Sequence, residues 1–145
     1  MNMIQNAKDQ VLDLTVSAYQ KAAAEGLLPQ DAAVTPSVEI PKDTANGDYT
    51  TTFCLAAAKA MKMNPRQVAQ ILTEQMDLTD TYFTSVELAG PGFLNFRLGS
   101  RWFGDTVACV EAEGADYGRN DTLTGKKYMV EFVSANPTGP MHMGN

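Results

Sequence analysis

The sequence contains few of the residues that build disulfide frameworks, metal centres or membrane spans. Its 145 residues include two cysteines, one histidine and one tryptophan, and the longest apolar run covers only residues 53–58. A membrane helix needs roughly 18 or more apolar residues in succession. The first residues also lack the basic-then-apolar order of a secretory signal. We therefore expect a cytoplasmic protein without a membrane span.

The two cysteines carry no recognisable ligand pattern. Cys54 and Cys109 lie in apolar stretches, outside any CxxC or Cys/His spacing. This placement is typical of small buried hydrophobic side chains in a reducing compartment, and a metal or redox role is the less favoured alternative. The sequence predicts no metal site.

Basic residues are also scarce. Lysine and arginine number 11 against 17 aspartates and glutamates, which gives a formal net charge of −6. This balance excludes a protein that binds nucleic acid by charge alone, but it leaves room for a local basic or stacking surface. Residues 51–100 hold four basic and four acidic groups, so this region is the best candidate for contact with an anionic partner.

Apolar residues make up 44% of the sequence, which is enough to form the core of an ordinary folded domain. Apolar side chains recur every three or four residues from Ile4 to Ala22 and predict a helix that ends at Gly26. Further helices are predicted over residues 51–61, from the Asn64-Pro65 cap to about residue 76, and from a Ser100 cap to Gly114.

Strand patterns lie between and after these helices. Residues 82–88 and 93–98, joined by a Gly/Pro turn at residues 89–92, predict an antiparallel pair. Shorter β-like runs cover residues 37–40 and 127–133. No apolar periodicity runs through residues 115–125, which marks a domain boundary. The first domain is therefore predicted to be α+β, an antiparallel sheet with packed helices.

The only histidine, His142, follows a β-like run and a polar loop, beside Gly144. A strand, a loop and a small-residue turn into a helix is the geometry that places anionic ligands at a helix N-terminus. Gly144 would let a nucleotide approach the backbone, and an imidazole can donate to phosphate oxygens. A structural histidine is the alternative.

Residues 130–145, VEFVSANPTGPMHMGN, resemble the ATP-binding signature of bacterial arginyl-tRNA synthetases, which are class I enzymes. The resemblance continues upstream through matches to that family's N-terminal additional domain, and it covers residues 4–145. These matches are IPKD at 40–43 with GDY at 47–49, NPR at 64–66, AGPGFLNFRL at 89–98 and DYGR at 116–119.

The resemblance implies three segments. Residues 1–115 would form an additional domain that contacts the tRNA D-loop, residues 116–126 a linker, and residues 127–145 the first strand and signature loop of a truncated nucleotide-binding α/β domain. The parent enzyme, a monomer, would activate arginine with ATP and Mg²⁺ and transfer it to tRNA(Arg). It would bind neither DNA nor membranes. The fragment itself would be inactive and would hold no cofactor tightly.

The resemblance also implies site residues. Ser134, Asn136, Pro137 and His142 correspond to the arginine and ATP site, and His142, Gly144 and Asn145 to the catalytic motif. Asn145 stands where the usual motif has a second histidine, so a neutral amide replaces a group that can be cationic. For tRNA, the corresponding residues are Phe93 and Asn95, with Arg97 on the same strand face placed to take a phosphate.

Other interpretations of the same residues remain open. Phe93 can be a packed strand residue, and Asp48 can cap the second helix. The basic residues Lys59, Lys62 and Arg66 form a solvated face or, as the less favoured alternative, a phosphate-binding patch. The chain as a whole can be a stand-alone RNA- or protein-binding module without catalysis.

Overall fold

The computed structural model describes residues 2–30, 34–136 and 138–140, and within them it has an α+β fold. Four α-helices and three β-strands make up this part of the chain. In chain order they are α1 (Met3–Ala24), β1 (Tyr49–Thr51), α2 (Phe53–Met61), α3 (Pro65–Gln75), β2 (Phe83–Ala89), β3 (Phe93–Leu98) and α4 (Ser100–Glu113). Two 3₁₀ turns cover Thr44–Asn46 and Gly114–Asp116.

The amphipathic stripe of α1 is confirmed, except at its first position. The Asn2 side chain caps the helix by accepting from the Gln5 N–H at 3.0 Å. Ile4, predicted to belong to the apolar stripe, is 52% exposed, because Met3 takes the buried position in the first turn. The rest of the stripe is buried, namely Ala7, Val11, Leu14, Ala18 and Ala22.

The predicted start of α3 is also confirmed. The Asn64 side chain accepts from the Arg66 N–H at 2.9 Å, and Pro65 occupies the first helical position, where its missing N–H is not needed. The predicted Ser100 cap of α4 is wrong. Gly99 occupies the cap position without a side-chain bond, and Ser100 is already helical.

The sheet is antiparallel throughout, in the order β1-β3-β2. The pairing of residues 82–88 with 93–98 is confirmed, with β2 shifted by one residue. The prediction that Asp48 caps the second helix is wrong, because residues 49–51 form an edge strand between Asp48 and that helix. The Asp48 carboxylate instead accepts from the Leu98 N–H at 2.8 Å. The predicted strand over residues 37–40 is reduced to one bridge between Glu39 and Thr50.

The core lies on one face of this sheet, under α1, α2 and α3. Three aromatic rings from the three strands form its centre. Tyr49 meets Phe83 edge-on at 6.1 Å, and Phe83 meets Phe96 in the same way at 5.4 Å. Edge-to-face contacts of this kind add to the stabilisation from burying each ring.

The strand predicted over residues 127–133 is not formed. This segment has no strand partner among the described residues, and its apolar side chains point into solvent, with Met129 98% and Phe132 92% exposed. A strand needs a neighbour to satisfy its backbone N–H and C=O groups, so β propensity alone does not produce one. Within the ranges that the structure describes, no helix has the length and apolar character needed to cross a membrane.

The two cysteines occupy different environments. Cys54 is fully buried, and burial raises the pKa of its thiol to about 12 because the thiolate is poorly solvated there. Cys109 was also predicted to be buried, but it is only partly buried, because no residue of α4 is fully buried. Its thiol donates to the Glu113 carboxylate at 3.6 Å. Within the described chain, neither cysteine forms a disulfide.

This difference predicts selective alkylation. In the native chain at about pH 8, iodoacetamide should label Cys109 and leave Cys54 unmodified, because the thiolate is the reactive form and Cys54 has almost none. Urea should expose Cys54 and allow the second label. Mass spectrometry of the digested chain measures both sites, and labelling of Cys54 at the Cys109 rate without denaturant would contradict the described burial.

Candidate nucleic-acid interface

The sheet face turned away from the core carries the three residues predicted to contact RNA. Phe93, Asn95 and Arg97 alternate along β3 with the buried core residues Leu94 and Phe96. Because successive side chains of a strand point to opposite faces, the three share one side. We call this side the outer face and define it by these three residues and their cross-strand neighbours Thr50, Ser85 and Glu87.

Asn95 lies at the centre of the outer face, in a row that crosses all three strands. Thr50 on β1 is its partner on one side, Glu87 on β2 is its partner on the other, and Glu39 extends the row through its bridge to Thr50. Asn95 and Thr50 are each only 7% exposed. The two glutamates at the ends of the row are exposed.

The middle of this row contains unused hydrogen-bonding capacity. The Thr50 hydroxyl is buried without a hydrogen-bond partner in the described part of the chain. No hydrogen bond joins the Asn95 carboxamide to any other described residue, although an amide can make up to four. Buried polar groups in folded proteins are normally paired, so the Thr50 hydroxyl is unusual.

Two contacts hold the Arg97 side chain in place. Its guanidinium donates to the Ala45 carbonyl at 2.6 Å, and its Nε lies 3.8 Å from the Glu87 carboxylate. The side chain keeps 43% of its surface exposed. A guanidinium carries five N–H donors, so these contacts orient Arg97 and leave donors for a further acceptor.

The turn between β2 and β3 fixes the position of Phe93. The Gly92 N–H donates to the Ala89 carbonyl at 3.2 Å, which closes the turn as predicted. Gly92 has φ +143°, and a Cβ there would lie 3.0 Å from the Pro65 side chain, so only glycine fits against the start of α3. The Arg66 guanidinium also donates to the Gly90 carbonyl. Phe93 follows this turn and is half-buried on the outer face.

The structure separates Arg66 from Lys59 and Lys62, the other two basic residues of the predicted patch. Arg66 supports the turn through its bond to Gly90, whereas Lys59 and Lys62 are exposed at the end of α2. The solvated-face interpretation fits both lysines. A phosphate-binding patch at these positions stays a prediction.

The residues predicted for the arginine and ATP site are described only in part. Ser134 and Asn136 are exposed in a segment without helix or strand. Pro137, His142, Gly144 and Asn145 lie outside the described residues. In residues 2–30, 34–136 and 138–140, no three His, Cys, Asp or Glu side chains are grouped so that they could hold a metal ion.

A family model described as "Arginyl tRNA synthetase N terminal domain" matches residues 9–98, which include the three strands and most of α1. The chain belongs to the arginyl-tRNA synthetase family. The arginine–tRNA ligase of Acetivibrio thermocellus is 44% identical over 144 residues, which cover 99% of this chain and 26% of that ligase. The ligase of Staphylococcus carnosus is 37% identical over 145 residues, 100% of this chain and 25% of its own.

A solved structure shows the same fold. Arginyl-tRNA synthetase from Plasmodium falciparum matches with a TM-score of 0.56 and 12% identity, over 70% of this chain and 18% of that one. The chain therefore spans about a quarter of the length of the curated arginyl-tRNA synthetase relatives it matches.

Sequence reasoning missed three residues of the row that contains Asn95, namely Glu39, Thr50 and Glu87. Each is polar and unremarkable in its own segment. Their relation to Asn95 depends on strand register, which the alternation pattern of β2 and β3 could have given for Glu87. No local signal could have found Thr50, because β1 has only three residues and its partner lies far along the chain.

Proposed function

We propose that this chain works as the N-terminal region of an arginine–tRNA ligase, in which its outer face contacts the outer corner of tRNA(Arg) at the D-loop. The observation that carries the proposal is the position of Phe93, Asn95 and Arg97 side by side on one strand inside the segment that defines the family. In this order, the ring can stack on a base, the amide can hydrogen-bond to a base edge, and the guanidinium can bind a phosphate.

Each of the three side chains supplies a different contact. The half-buried Phe93 ring keeps some surface on which an unpaired base can stack, which suits RNA loops. The Asn95 carboxamide can donate to and accept from a base edge. Arg97 can bind a phosphate with the donors that Ala45 and Glu87 leave free. Since the net charge is −6, short-range contacts rather than general attraction must supply the affinity.

The catalytic part of the proposal concerns residues 127–145. We assign them to the first strand and signature loop of the nucleotide-binding domain, where Ser134, Asn136, Pro137 and His142 bind arginine and ATP. His142 and Gly144 act with Asn145 in the motif that stabilises charge on the phosphates. Mg²⁺ would accompany the ATP. The exposed, unpaired segment 127–133 fits a strand whose neighbours come from the rest of the ligase. Arginine-dependent ATP–pyrophosphate exchange is the assay for this part, and the present chain alone should show none.

The tRNA contact predicts a large effect of removing one ring. Phe93→Ala should raise the Kd of the chain for a tRNA(Arg) transcript by about tenfold, because a stacked base contributes about 1–3 kcal/mol. Fluorescence anisotropy titration measures the Kd, and circular dichroism checks that the variant is folded.

Phe103→Ala is the control, because Phe103 is a solvent-accessible phenylalanine, 55% exposed, that lies on α4 and away from the outer face. Its Kd should equal that of the unmodified chain. Equal Kd values for the Phe93→Ala variant and the unmodified chain would refute the assignment. Binding of tRNA by a full-length protein that never activates arginine would support the stand-alone RNA-binding module instead.

A further inference from the structure

The Thr50 hydroxyl is the one buried side-chain polar atom that lacks a hydrogen bond in the part of the chain that the structure describes. Thr50 is also next to Asn95, the least exposed of the three predicted RNA-contacting residues. A threonine in this position leaves a desolvated hydroxyl uncompensated, whereas valine would fill the same space without that penalty. The hydroxyl therefore adds no hydrogen bond within the described part of this fold.

The strand register places the two side chains opposite each other on the same face. The Thr50 N–H and C=O both bond to Glu39, each at 2.9 Å, so they point away from β3. Thr50 and Asn95 are therefore a non-hydrogen-bonded pair of an antiparallel ladder, the type in which opposite Cα atoms are only about 4.5 Å apart and the side chains are closest. Side-chain rotation alone can bring the hydroxyl to the carboxamide.

We infer that Thr50 is a positioning residue for RNA recognition: its hydroxyl bonds to the Asn95 carboxamide when a base docks and fixes the plane in which that amide meets the base edge. This inference rests on the proposed RNA contact of the outer face. The hydroxyl can donate to Oδ1 or accept from Nδ2, and either bond fixes the amide plane. The cross-strand geometry thus supplies an orienting group directly beside the side chain that reads the base.

The inference separates the effects of Thr50 on stability and on binding. Thr50→Val should leave the Tm unchanged or raise it, while it raises the Kd for a tRNA(Arg) transcript by about fivefold, the equivalent of one hydrogen bond. Thr50→Ser restores the hydroxyl and should bind within about twofold of the unmodified chain. A purely structural role would lower the Tm together with binding.

Thr51→Val is the matched control on the neighbouring residue. Thr51 is also buried, but its hydroxyl oxygen accepts from the Phe53 N–H at 3.2 Å, and its partner Leu94 lies on the core face. This variant should lower the Tm and leave the Kd unchanged. The two adjacent threonines should therefore respond in opposite ways.

A double-mutant cycle with Asn95→Ala tests whether Thr50 acts through Asn95. Thr50→Val should have no further effect on the Kd once the carboxamide is gone. Additive effects of the two substitutions, or unchanged binding by Thr50→Val while Asn95→Ala binds weakly, would overturn the role of Thr50 and leave the proposed function standing. Unchanged binding by Asn95→Ala as well would refute the proposed contact itself, and the inference with it.

Discussion

Phe96→Ala is expected to lower the free energy of unfolding by about 3–5 kcal/mol, the range for truncating a buried aromatic side chain. Phe96 is fully buried on the central strand and contacts the Phe83 ring at 5.4 Å. Its removal leaves a cavity among the sheet and the helices above it. Urea unfolding followed by far-ultraviolet circular dichroism measures the change.

Phe103→Ala supplies the comparison for that experiment, since the same atoms are deleted from an exposed site on α4. Surface substitutions of this kind usually change stability by about 0.5 kcal/mol or less. A loss at Phe96 no larger than the loss at Phe103 would show that the aromatic cluster is not the centre of the core.

Gly47→Ala is the second substitution with a large expected effect, a loss of about 2–4 kcal/mol from backbone strain and overpacking together. Gly47 has φ +93° and ψ −168°, a conformation that residues with a side chain rarely adopt. A Cβ at this position would lie 2.7 Å from the Phe96 carbonyl oxygen. Neither the turn nor the central strand can move without breaking the bond from the Asp48 N–H to that same oxygen.

The matched substitution, Gly104→Ala, should have the opposite sign. Gly104 lies inside α4, and an alanine Cβ there would meet nothing within 4 Å, so alanine should stabilise the chain by about 0.5–1 kcal/mol through its higher helix propensity. Thermal unfolding of both variants gives the two signs in one experiment. Equal Tm values for Gly47→Ala and the unmodified chain would rule out the strained conformation at Gly47.

The elements that could be predicted from the sequence are those whose causes are local. The stripe of α1, the Asn64-Pro65 start of α3 and the β2–β3 turn depend on residues within a few positions of one another. The alternation of Phe93, Asn95 and Arg97 also follows from strand period alone. Local signals therefore predict the hairpin and the side of it that carries the candidate site.

The missed features depend on contacts between distant segments. The edge strand β1 exists because β3 pairs with it, and the bond from Arg97 to the Ala45 carbonyl joins a strand to a turn that no pattern connects to it. Residues 127–133 show the opposite error, a strand that was predicted but is not formed. Their β propensity is strong, but no other strand pairs with them in the described chain. Pairing, rather than propensity, decides both cases.

The central position of β3 has a consequence for the entropy of the proposed RNA contact. Its neighbours β1 and β2 hydrogen-bond to it from both sides, so its backbone is the most restrained of the three strands. The backbone that carries Phe93, Asn95 and Arg97 would therefore give up little conformational freedom when RNA docks, and more of the contact energy would be realised as affinity. Slow amide hydrogen exchange along β3 would be the signature of this preorganisation.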